Sequence, residues 1–122
     1  MQPLAMLVAL GDLVAARWFG IKSVIEQSIV ISHDALHVLV GVVLQLILAL
    51  ALRVPISRWS PWLVVLSLEL ANEWSDLRTD LWPASVRSVQ IAEGVKDVLL
   101  TMALPTLLLL AARRFPAAFR GT

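Results

Sequence analysis

The chain has 122 residues, 59% of them hydrophobic and only 16% charged, with a mean hydropathy of +0.83. A soluble domain is about half apolar, so the surplus here must face lipid. The formal net charge of +1 gives no electrostatic footprint for nucleic acid, and the lack of cysteine excludes disulfides, thiolate catalysis and cysteine-held zinc.

At roughly 20 apolar residues per crossing, one domain of this length has room for three or four spans. The first apolar stretch, residues 3–19 (PLAMLVALGDLVAARWF), is interrupted by Asp12 and Arg17. At about 1.5 Å per residue it is only marginally long enough to span. It is expected to cross or nearly cross, packed beside the other helices, with Asp12 and Arg17 in a local or interhelical pair, or facing water if the segment lies flat. Met1–Pro3 carries no positive charge, unlike a signal-peptide start, so this segment is expected to remain in the mature protein. In residues 21–31, Ile21, Val24, Ile25, Ser28 and Ile29 share one helical face, with Lys22, Glu26 and Gln27 off it. That pattern predicts a short interfacial helix whose charges are solvated.

Residues 32–53 form the clearest membrane helix. Ser32 is placed to cap it and Asp34 to favour its dipole, and from Ala35 to Leu52 the only polar side chains are His37 and Gln45. A short turn with Arg53, Pro55 and Arg58 follows. The next helix, residues 60–78, opens with Ser60 as cap and Pro61 at its first position. Its first half is membrane-like (WLVVLSL) and its second half acidic (ELANEWSD). The last helix, residues 88–114, carries Glu93, Lys96 and Asp97 near its start, an apolar run broken by Pro105, and a basic tail. Arginines at 53, 58, 113, 114 and 120 place the second turn and the C-terminus in the cytoplasm by the positive-inside rule. Trp59 and Trp62 then mark the inner interface, and Trp74 and Trp82 the outer. The expected fold is an all-α membrane protein: a single domain over residues 1–122, an antiparallel bundle of three transmembrane helices plus a fourth at the N-terminus.

This topology gathers the polar residues at the outer face. His33, Asp34 and His37 open one helix. Glu69, Asn72, Glu73 and Asp76 close the next as one stripe at i, i+3, i+4 and i+7. Glu93, Lys96, Asp97 and Thr101 begin the last. An ionised carboxylate as deep as Glu69 costs several kcal/mol unless paired or hydrated, which makes such residues candidates for function. Three uses fit. One is acid–base work on a lipid head group, with His37, Glu73 and Asp97 as catalytic groups and Glu69, Asn72, Asp76, Lys96 and Thr101 around the substrate. Another is a zinc or iron ion held by His33 and His37 with Glu73, or in its place Glu69 or Asp97. The third is passage of a cation or proton. Against these stands a structural reading, in which the stripes pair with one another, with Lys96 and with Arg78. No Ser–His–Asp triad, phosphate loop or HExxH motif is present.

At these residues the chain resembles the VanZ-like and YjdF-like small membrane proteins of bacteria. The similar features are His33-Asp34-Ala35-Leu36-His37, the acidic run from Glu69 to Asp76, and Lys96-Asp97-Val98-Leu99. The resemblance covers about residues 32–112 and implies a polar core of His37, Glu73 and Asp97 without implying a reaction. The functional expectation is an outward-facing site in the bacterial inner membrane that binds or acts on an envelope lipid or amphiphile. Its rivals are a non-catalytic subunit, in a larger membrane complex or a homo-oligomer, and a metal-dependent membrane hydrolase.

Overall fold

The computed structural model describes residues 2–120. Four helices account for most of them: α1 (Gln2–Ser28), α2 (His33–Leu52), α3 (Trp59–Thr79) and α4 (Arg87–Arg114). Single 3-10 turns lie at Ala84–Val86 and Pro116–Phe119. There is no strand among the described residues.

α2 starts as its sequence requires. Ser32 is extended and its hydroxyl accepts the Ala35 amide, 3.2 Å away. The helix ends at Arg53, the one described non-glycine residue with positive φ (54°), whose N–H reaches the Ala49 and Leu50 carbonyls. That left-handed cap costs an L residue roughly 1 kcal/mol but satisfies two terminal carbonyls at once. α3 begins at Trp59, one residue before the expected cap, and Arg58 supplies no side-chain cap. Pro61 still falls in the first turn, where its missing N–H has no helical acceptor to lose.

The N-terminal expectation needs correction. Residues 3–19 and 21–31 are not a span followed by a surface helix; one helix runs from Gln2 to Ser28. Gly20 does not break it, because a helical glycine costs only about 1 kcal/mol and no proline or cap residue stands beside it. α1, α2 and the stretch Ala84–Arg114 are long and apolar enough to cross a membrane. α3, expected to be among the surest spans, is not among them, because Glu69, Glu73 and Asp76 crowd its second half.

α4 packs against α2 and α3, α3 also touches α2, and α1 lies mainly against α3. Gln45, Pro61, Val65, Thr101, Pro105 and Leu109 are the largest fully buried side chains. The large apolar side chains point outwards instead: Leu50 is 79% exposed and Leu99 67%. A water-facing surface of that kind would be a liability, whereas lipid covers it without cost. Every residue from Gln2 to Val14 is also exposed, so α1 packs on the bundle through its second half, with Asp12 alone reaching across to Arg78 from the first.

α2 and α4 come into backbone contact at Gly41. Pro105 has no N–H, so the Thr101 carbonyl loses its donor one turn back. The Gly41 backbone sits on that carbonyl: a Cβ built there would lie 1.9 Å from the Thr101 oxygen. The Gly41 Cα–H thus faces the freed acceptor. One turn further, Gln45 Nε2 donates to the Pro105 carbonyl at 3.1 Å. These contacts set the register that carries His33 to Asp97 and His37 to Thr101, midway along α4.

Candidate functional site

His37 stands at the centre of the polar cluster, and its ring points into the bundle. Its Nδ1 lies 2.9 Å from Thr101 Oγ1 on α4 and 3.1 Å from Glu69 Oε1 on α3. Its Nε2 lies 3.2 Å from His33 Nε2 and 3.6 Å from Asp97 Oδ2. His33 Nε2 is in turn 3.2 Å from the same Asp97 oxygen. The imidazoles are one helical turn apart and meet edge to face, with ring centroids 4.7 Å apart. Glu69 and Asp97 are buried, and Glu69 Oε1 and Asp97 Oδ1 have no hydrogen-bond partner. His37 Nδ1 is directed at Thr101 Oγ1, and Glu69 Oε1 lies close beside it without an aligned hydrogen bond.

Glu73 reaches the cluster by lying over Gly94, where a Cβ would come within 2.9 Å of its Oε2. Its other oxygen accepts from Asn72 Nδ2 at 3.3 Å. Asp76 is held by Lys22 at 2.5 Å, and Lys22 also donates to Asn72 Oδ1 at 2.9 Å. The cluster opens into a cavity of about 360 Å³ between α1, α3 and α4. Glu26, Glu73, Asp76, Asp80, Glu93 and Asp97 line it against Lys22 and His33, with Phe19, Leu77, Trp82 and Val89 among its apolar walls.

Most residues singled out from the sequence therefore meet, with three departures. Of the expected metal sets, the one with Glu73 divides, while the alternative with Asp97 is brought together. His33 and His37 converge with Asp97, while Glu73 groups with His37 and Glu69, the ligand atoms of each group lying within 4.8 Å of one another. Lys96 does not join the cluster but bridges Asp34 at 3.2 Å and Glu93 at 2.7 Å on the outside of the bundle. Arg78 turns away from the acidic stripe to Asp12 on α1, at 2.7 Å, so Asp12 is not paired with Arg17.

α1 supplies what sequence reasoning missed. Lys22 is not solvated, Trp18 Nε1 donates to Asn72 Oδ1 at 3.0 Å, and Glu26 Oε1 lies 3.6 Å from His33 Nδ1. The signal was present: Trp18, Lys22 and Glu26 recur every four residues, a fourth polar stripe. It was obscured by dividing the helix at Gly20.

No protein-family model, curated protein or solved structure matches the chain. Fold and site define a class: a small helical bundle with an apolar exterior and an imidazole–carboxylate cluster at one end.

Proposed function

We propose that the chain is an integral protein of a bacterial cytoplasmic membrane, VanZ-like in its polar pattern. In this reading its cleft binds or acts on the amino-bearing head of an envelope lipid or amphiphile. α2, α3 and α4 cross in alternating directions, with the arginine-rich turn and tail in the cytoplasm and the cleft at the outer face. α3 tolerates this because Glu69 and Glu73 are directed at His37 and Asp76 at Lys22 rather than at lipid.

One observation carries the reading: the cavity presents six carboxylates against one lysine and one histidine, beside apolar walls. An anionic head group would meet like charge, whereas an ammonium would find acceptors on several sides and an apolar shelf for the adjoining chain. His37, Glu73 and Asp97 are the groups able to hold or move a proton at that head. Glu69, Asn72, Asp76 and Thr101 hold them in place.

The test is titration of the detergent-solubilised protein with short-chain phosphatidylethanolamine and phosphatidylglycerol, read by tryptophan fluorescence, with Trp82→Phe to assign the signal. The amine-headed lipid should bind saturably, and Glu73→Gln should weaken it about tenfold, the loss of one charge-assisted contact. Equal or stronger binding of the anionic lipid would overturn the reading. A second reading, a non-catalytic subunit or homo-oligomer, draws on the exposed apolar residues 2–14 of α1. Native mass spectrometry of the gently solubilised protein separates the two.

A further inference from the structure

The inner end of the cleft brings three atoms of metal-ligand type together. His33 Nε2, His37 Nε2 and Asp97 Oδ2 form a triangle with edges of 3.2, 3.2 and 3.6 Å. Each ring turns its other nitrogen to an acceptor. His37 Nδ1 faces Thr101 Oγ1 and Glu69 Oε1, and His33 Nδ1 faces Glu26 Oε1 at 3.6 Å. An imidazole whose Nδ1 faces a carboxylate keeps its proton there and directs the Nε2 lone pair the opposite way. In that tautomer two lone pairs and a carboxylate oxygen converge on one point, which a cation would satisfy.

The spacing suits a metal ion. Ligands at about 2.0–2.1 Å in tetrahedral order stand about 3.3 Å from one another, close to all three edges. Asp97 is 94% buried (6% exposed), and its Oδ1 has no hydrogen-bond partner among the described residues. The cavity borders His33 and Asp97, leaving a way in and an open fourth position. Two imidazoles with one carboxylate, each imidazole backed by a second carboxylate, is a set that holds zinc-class ions.

We propose that His33, His37 and Asp97 bind one divalent transition-metal ion, with Glu26 and Glu69 orienting the two rings. Zinc is the ion whose bond lengths match the spacing. Glu73 belongs to the cleft wall and not to the ligand set. The inference goes beyond head-group binding, and each can fail without the other.

The experiment uses the full chain in detergent, stripped with chelator, free of added lipid, and titrated calorimetrically with Zn²⁺. One ion per chain should bind at micromolar free zinc or below. His33→Gln and Asp97→Asn should each weaken binding by roughly 100-fold or more, beyond what loss of an orienting partner brings. Asp12→Asn, whose partner is Arg78, should leave it unchanged. X-ray absorption of the zinc-loaded wild type should count two imidazole nitrogens, a readout that stands even where a variant fails to fold. No saturable zinc binding by the wild type, fewer than two imidazoles, or unchanged affinity in Asp97→Asn would overturn the proposal.

Discussion

Replacing Gly41 with alanine puts a methyl group where backbone already lies. The new Cβ would stand 1.9 Å from the Thr101 carbonyl oxygen and 2.9 Å from its carbon, whereas ordinary contact begins near 3.4 Å. Neither atom belongs to a flexible side chain, so α2 and α4 must part by about 1.5 Å. Overpacking of this kind costs about 1–3 kcal/mol. The parting also stretches the Gln45–Pro105 hydrogen bond, whose buried donor would lose its acceptor at a further cost of about 1–3 kcal/mol. Alanine returns about 1 kcal/mol through better helix propensity. The expected net loss is about 3 kcal/mol, read as a lowered midpoint in denaturant unfolding of the protein in mixed micelles. Gly11 and Gly20 are internal controls: a Cβ at either meets nothing within 4 Å. Alanine there should raise stability by up to about 1 kcal/mol. At Gly94 the neighbour is the end of the flexible Glu73 side chain, so alanine should leave stability nearly unchanged and displace Glu73. A Gly41→Ala midpoint equal to that of Gly20→Ala would refute the close approach of α2 and α4.

Single cysteines at Ser57 and Thr79 should react with an impermeant thiol reagent from opposite sides of the membrane; labelling of both from one side would end the proposed topology. Lys22→Met should destabilise by about 1–3 kcal/mol, because it strips the partner from the half-buried Asp76. Asp12→Asn breaks an exposed pair and should cost less than about 1 kcal/mol. Thermal unfolding of the two variants in the same detergent compares them, and equal losses would show that α1 does not seat on α3 as described. Zinc bound by imidazole nitrogens should be released on acidification, because protons compete for the same lone pairs. Retention of zinc at a pH well below the usual histidine range would exclude the two-histidine set.

The boundaries of α2 and much of α4 were legible because local chemistry marks them: Ser32 as cap, an unbroken apolar run, and arginines at the end. The convergence of His37 with Asp97 was legible too. His37 lies about one turn into α2 and Asp97 nearly three turns into the longer α4, each where its helix turns apolar, and two polar residues at one depth in an apolar bundle find each other or remain costly. α1 was misread because its signals conflict. Gly20 looks like a stop, and the charges that follow look like a surface helix. Yet Lys22 and Glu26 continue a stripe begun by Trp18, and only the acidic face of α3 shows what that stripe is for. Arg17 and Asp12 invited pairing by proximity in sequence, but Asp12 meets the guanidinium of Arg78 instead.

The sequence by itself determined that the chain is helical, with apolar stretches long enough to cross a membrane, and that its imidazoles and most of its carboxylates collect near one end. Composition and the positions of charges dictate those properties whatever the helices touch. Tertiary structure decided the partners. The choice between Glu73 and Asp97 as companion to the two histidines turns on the rotation of α4 about its axis. That rotation is set by the approach of Gly41 to the Thr101 carbonyl, which is free because Pro105 cannot donate to it. No local pattern states that a glycine on one helix will meet a proline-freed carbonyl 60 residues away. The meeting is a property of two packed surfaces, and the geometry of the polar cluster follows from it.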